Sequence, residues 1–124
     1  MTAENKKLIL IVEDDPTSSL LYTNFLESRG FNVLTVADGK TAIDAVIANP
    51  DIQVILMDIR LPELDGISSM KEIKKIRKDI PIIAQTAYAM VEDKARMLKA
   101  GFDGYLAKPV KPDTLYDALL AFLK

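Results

Sequence analysis

The chain has no cysteine and no histidine in 124 residues, and the two absences exclude different things. Without cysteine there are no disulfides and no thiolate metal sites, a composition compatible with a reducing compartment. Without histidine there is no imidazole base and no soft-metal ligand of the usual kind. Any reactive site must therefore work through oxygen ligands and amines. Also missing are a long apolar run and an apolar leader: Met1 to Lys7 does not resemble a signal peptide, and no segment approaches a membrane span. A cytoplasmic protein is expected. Charge of one sign is not in excess, with 16 basic and 18 acidic side chains, so no basic nucleic-acid footprint is indicated. Lys71, Lys74, Lys75, Arg77 and Lys78 read together as one solvated helix face rather than a DNA patch.

What is present is a regular alternation. Apolar residues make up 49% and charged residues 27%, ordinary for a folded domain, and a chain of this length buries roughly two thirds of its unfolded surface. Strands and helices alternate five times with no linker, low-complexity stretch or repeat. Residues 1–124 are expected to form one domain. Leu8 to Val12 reads as a strand, and Asp15-Pro16 as a cap followed by proline at the first helical position. The first helix is expected to bury Leu21, Phe25 and Leu26 and to stop at Gly30. Phe31 to Val36 is the second strand, and Ile43, Val46 and Ile47 mark a helix ending before Asn49-Pro50. Val54 to Met57 leads to Asp58, a turn-rich loop follows from Leu61 to Gly66, and Met70, Ile73 and Ile76 or Arg77 recur at helical spacing. Pro81 to Gln85 is the fourth strand, and a helix from about Val91 to Ala100 ends at Gly101. After a short fifth strand, Leu115, Ala118, Leu119 and Phe122 share one face of a last helix.

Strands one, three and four read as apolar throughout, whereas the second alternates and the fifth is short and mixed. Strands two and five are therefore expected at the edges. Right-handed crossovers then allow a flavodoxin-like, doubly wound α/β fold, (βα)5, with a parallel sheet in the order 2-1-3-4-5. The switch point lies between strands one and three, where Glu13, Asp14 and Asp58 fall. Thr86 and Lys108 end strands four and five on the same side. Three carboxylates in one crevice repel: each pair at about 4 Å costs roughly 4 kcal/mol at an effective dielectric near 20. Lys108 supplies one compensating charge, but a hard divalent cation held by oxygen ligands, such as Mg²⁺, would serve better. Given a metal, an aspartate can attack phosphorus and form an acyl phosphate, with Thr86 as hydrogen-bond donor to the phosphoryl oxygens. Asp15 is most simply a helix cap, and Tyr105 taken alone is equally well a half-buried edge-strand tyrosine.

Ile11-Val12-Glu13-Asp14-Asp15-Pro16, Leu56-Met57-Asp58, the Leu61-to-Gly66 loop, Thr86-Ala87 and Lys108-Pro109 together resemble the receiver domain of two-component response regulators. The resemblance covers essentially the whole chain. It implies that Asp58 is the phosphoacceptor, and that Asp14, Asp58 and the backbone carbonyl of Arg60 ligate Mg²⁺, with Glu13 acting through water and Mn²⁺ able to substitute. It further implies phosphoryl contacts from Thr86, the Ala87 backbone and Lys108, a cis bond before Pro109, and an aromatic switch at Tyr105. Thr86 is expected to move on phosphorylation and Tyr105 to fill its space, reshaping a partner surface from the fourth helix to the fifth that includes Met90, Val91, Lys94, Tyr105 and Tyr116. Arg60 and Tyr88 occupy the positions that modulate phosphate lifetime, and both are large. The donor would be a phosphohistidine on a histidine kinase or histidine phosphotransfer domain, and the molecule a signalling module rather than an enzyme, monomeric or weakly dimeric when phosphorylated. Gln85 to Met90 is similar to receivers of hybrid histidine kinases, so a stand-alone regulator and an excised receiver both stay open.

Three other readings are distinguishable. A haloacid-dehalogenase-type phosphatase normally carries a second acid two residues beyond its nucleophile, where this chain has Arg60. A flavodoxin-like cofactor binder needs a Ser/Thr/Gly-rich phosphate loop, where Glu13-Asp14-Asp15 would repel an anion. A pure interaction module would have the fold and never take phosphate.

Overall fold

The computed structural model describes residues 7–60, 65–87 and 91–123, with the side chains of 91–93 outside the description. Ten elements follow one another: β1 (Leu8–Val12), α1 (Pro16–Ser28), β2 (Asn32–Val36), α2 (Gly39–Ala48), β3 (Ile52–Asp58), α3 (Gly66–Ile76), β4 (Ile82–Thr86), α4 (Val91–Ala100), β5 (Gly104–Ala107) and α5 (Pro112–Phe122). The sheet is parallel in the order β2-β1-β3-β4-β5, as the strand compositions lead one to expect.

Helices cover both faces, and each face has its own core. On one side Leu10, Val12, Ile55, Met57, Ile82 and Ala84 pack against Val46, Met70, Ile73 and Met97 of α2, α3 and α4. On the other, Ile9, Ile11, Val54, Leu56 and Ile83 pack against Leu26, Leu115 and Leu119 of α1 and α5. Alternate residues of a strand point to opposite faces, so a strand buried on both has no polar side to read. Complete burial of side chains of this size contributes about 1.5–3 kcal/mol each, which is what holds the strand ends fixed.

Several boundaries and faces differ from the sequence expectation for local reasons. Phe31 lies outside β2 because its amide turns back to Leu26 O at 3.2 Å, closing α1, and Gly30 takes φ +92° in that exit. Thr86, placed just after the fourth strand by its hydroxyl, belongs to β4 and pairs with Ala107. Pro81 stays outside, offering only its carbonyl, to Ile55 N at 3.0 Å. Leu21 is 64% exposed, because α1 turns Leu26, with Tyr22 and Phe25 beside it, toward the sheet. Ile47 and Ile76 are exposed as well. The basic face also breaks up: α3 ends at Ile76, before Arg77 and Lys78, and Lys74 is drawn in to Asp103 at 2.7 Å with only 22% of its side chain exposed.

Candidate functional site

The period-two alternation that builds the α1/α5 core also builds the site. Continuing Ile9 and Ile11 by two residues gives Glu13; continuing Val54 and Leu56 gives Asp58; continuing Ile83 gives Gln85; and two beyond Leu106 is Lys108. All four therefore emerge at the carboxyl ends of adjacent strands on one face, in the crevice where α/β folds of this type bind ligands.

Lys108 is the hub. Its Nζ donates to Glu13 Oε1 at 2.8 Å and to Asp58 Oδ2 at 2.9 Å. Glu13 Oε1 also accepts from Gln85 Nε2 at 3.2 Å, and its Oε2 accepts from Asp15 N at 3.0 Å. Asp58 Oδ1 accepts from Arg60 N at 2.9 Å, so its two oxygens face different partners. Lys108 is also tied through its backbone, donating to Thr86 O at 2.8 Å. Burial pushes the Glu13 carboxyl above the usual carboxylate range, and the Lys108 ammonium and Asp15 amide only partly pull it back. For Lys108, burial alone would lower the pKa, but its hydrogen bonds to Glu13 and Asp58 outweigh that and hold it above the ordinary lysine range. Both shifts keep protons in the cluster, as expected where anions outnumber cations.

One oxygen each from Glu13, Asp14 and Asp58 lies within 4.8 Å of the other two. Glu13 and Asp58 are buried and Asp14 is exposed at the rim. Three formal negative charges against the one of Lys108 leave an excess of two. An all-oxygen donor set with a residual double negative charge and one solvent-facing member suits a hard divalent cation that keeps several waters.

Asp15 is the helix cap expected of it, accepting from Ser18 N at 3.2 Å and Ser18 Oγ at 2.6 Å. These bonds, chiefly that from the Ser18 hydroxyl, hold its carboxyl below the usual range. Gly66 closes the floor: a Cβ there would lie 2.6 Å from Asp58 O and 2.7 Å from Ile59 Cα, so only glycine lets α3 start against the backbone that carries Asp58. Thr86 and Tyr105 fall on the opposite, α4-facing side of β4 and β5, two residues apart in register, since Tyr105 pairs with Ala84 and Thr86 with Ala107. The Lys108–Pro109 peptide is cis. Ala87 is exposed beside Lys108 and Pro109. Tyr88 and Met90 lie outside the described residues, as does the Val91 side chain. The half-buried Tyr116 has its ring 6.4 Å from that of Phe25 and 6.1 Å from that of Phe31, while Tyr105 packs on the other side of the sheet. The residue that sequence reasoning missed is Gln85, read as the end of an apolar run; an amide at the end of that run was the one sequence signal, and its level with Asp58 comes only from the register of β3 against β4.

The sequence profile of the response regulator receiver domain matches residues 9–120. The chain belongs to that family. It is 36% identical over 119 residues to hybrid signal transduction histidine kinase I of Dictyostelium discoideum, covering 90% of this chain and 7% of that protein. It is 37% identical over 111 residues to the transcriptional regulatory protein ZraR of Salmonella typhimurium, covering 90% of this chain and 25% of the relative. The receiver thus spans a quarter or less of these relatives. Among solved structures, the receiver domain of sensor histidine kinase PA1611 from Pseudomonas aeruginosa superposes with a TM-score of 0.86 at 39% identity, covering 94% of this chain and 97% of that one. That receiver holds a magnesium ion coordinated in its active-site cleft. Among the described residues, no helix of this receiver is long and apolar enough to cross a membrane.

Proposed function

We propose that residues 1–124 form one receiver domain that takes a phosphoryl group from a phosphohistidine donor onto Asp58, and that the transfer depends on Mg²⁺. The observation that carries this reading is the triad of carboxylate oxygens within 4.8 Å around a single lysine, two formal charges short of neutrality. Asp14 and Asp58, with the Arg60 carbonyl, would hold the cation directly and Glu13 through water; Mn²⁺, with the same preference for oxygen donors, would substitute. When bound, the cation neutralises charge on the transferring group and screens it from the acids.

An Asp58 carboxylate oxygen forms the new bond to phosphorus as the phosphorus–nitrogen bond to the donor imidazole breaks. The imidazole leaves with the electron pair and is protonated from solvent. Lys108 moves from Asp58 Oδ2 to a phosphoryl oxygen, and Thr86 Oγ1 with the Ala87 amide donates to the others. Because Thr86 and Tyr105 share a face, withdrawal of the Thr86 side chain toward the phosphoryl group opens room for the Tyr105 ring. The change is then read by a partner at the surface formed by α4, β5 and α5. Absence of NMR shifts at Thr86 and Tyr105 on adding beryllofluoride would refute this switch. Arg60, exposed beside Asp58, and Tyr88 would hinder the hydrolytic water; Arg60→Ala and Tyr88→Ala are expected to lose phosphate faster.

The test is intact mass after incubation with acetyl phosphate. The protein should gain one phosphoryl group with Mg²⁺ present and none with chelator, and Asp58→Ala should gain none. A gain in Asp58→Ala equal to the unmodified protein's would discard the assignment.

A further inference from the structure

Gln85 is a buried polar side chain in the middle of an apolar sheet, and its two ends are treated differently. Its Nε2 donates to Glu13 Oε1 at 3.2 Å, whereas its Oε1 has no hydrogen-bond partner among the described residues. The orientation is forced, since the reverse would set an amide oxygen against a carboxylate. Burying an unmatched acceptor is unfavourable, so packing alone would be better served by leucine or methionine. The amide is therefore useful for its donor. The acceptor it serves is the very oxygen that Lys108 holds at 2.8 Å.

That shared oxygen has a consequence for phosphoryl capture. Moving from Asp58 Oδ2 to a phosphoryl oxygen would draw Lys108 away from Glu13 Oε1 as well, taking a donor from a carboxylate whose side chain is fully inaccessible. We infer that Gln85 is a positioning residue that keeps Glu13 Oε1 hydrogen-bonded when Lys108 departs, and so lowers the barrier to releasing the lysine. The inference rests on the phosphoacceptor reading above. Gln85 never touches the phosphoryl group; it acts through Glu13 on Lys108.

The experiment compares the unmodified protein with Gln85→Met, which keeps the volume and removes the donor. Capture from acetyl phosphate at saturating Mg²⁺, followed by intact mass, should slow on the order of tenfold, the scale of one hydrogen bond to a charged group. In parallel, the Lys108 ¹⁵Nζ resonance should shift on adding Mg²⁺ and beryllofluoride to the unmodified protein and shift much less in Gln85→Met at the same concentrations. A rate equal to the unmodified protein's overturns the inference. So does a slower rate with the full Lys108 shift, which would make Gln85 a packing residue only. Should Gln85→Met not fold, Gln85→Asn, which keeps an amide but withdraws it by one methylene, carries the same two comparisons. If the unmodified protein captures no phosphoryl group, the phosphoacceptor reading has failed. The inference falls with it, and the resting Lys108 resonance in Gln85→Met then reports only whether the two donors share one oxygen.

Discussion

The two ends of the sheet each hold a lysine among strand-end carboxylates, and they are built to opposite rules. At the amino end, Lys74 Nζ donates to Asp103 Oδ2 at 2.7 Å and to Ile80 O at 2.7 Å, and the same Asp103 oxygen accepts from Ile82 N at 2.9 Å. One cation meets one anion, and the backbone of β4 is tied to α3 and to the turn before β5. At the carboxyl end Lys108 faces Glu13, Asp58 and, nearby, the exposed Asp14, and the charges do not balance. A neutral, mutually satisfied pair is a clamp. An unbalanced cluster is a site, because its residual charge is the free energy a cation can recover.

The largest test of this contrast is Lys108→Met against Lys74→Met. Removing Lys108 should slow phosphoryl capture by roughly 10²–10³, the scale of losing one preorganised group from a transition state that carries charge. Removing Lys74 should leave the capture rate within about twofold while lowering stability by roughly 1–3 kcal/mol, since it takes from Ile80 O its lysine donor and from Asp103 Oδ2 one of its two donors. Urea melts and mass time courses on both variants check the pair. Equal kinetic losses would erase the distinction.

Gly66→Ala sharpens the comparison from the backbone side. It places a Cβ against Asp58 O and Ile59 Cα, atoms that cannot swing aside as a side chain would, so both stability and capture should fall, by roughly 1–3 kcal/mol in a denaturant melt. A smaller effect follows from pH. Asp38 caps α2 by accepting from Thr41 N at 2.7 Å and Thr41 Oγ1 at 2.8 Å, and these bonds hold its carboxyl below the ordinary range. Its folded pKa is the depressed one, so its contribution is present above the unfolded value and is lost as pH falls through the folded value. Asp38→Asn, which does not titrate, should therefore lower stability slightly near neutrality and leave it unchanged once pH has fallen below the folded value, so that the acid side of the profile is flatter. A stability altered only at low pH and unchanged at pH 7 would contradict the assignment.

How much of this was legible in the sequence depends on what kind of fact is meant. Strand order followed from composition, because edge strands tolerate polar residues that central ones do not, and the ends of four apolar runs put Glu13, Asp58, Thr86 and Lys108 on one rim. Helix faces were less legible: α1 carries apolar side chains on more than one side, so period alone did not tell that Leu21 faces outward. Lys74 looked like a member of a solvated row because its partner, Asp103, is 29 residues away. Gln85 was hidden for the same reason. Its partner Glu13 lies 72 residues earlier, and only the lateral register of β3 against β4 sets the amide level with Asp58.

The most direct measurement is chemical trapping of the modified residue. After incubation with Mg²⁺ and acetyl phosphate, borohydride reduction converts an aspartyl phosphate to homoserine, and peptide mass mapping locates it. Homoserine at position 58 alone, and none in the presence of chelator, is the result predicted here. Homoserine at position 14, or no reduced residue at all, would contradict the assignment of Asp58 as the oxygen that accepts phosphorus.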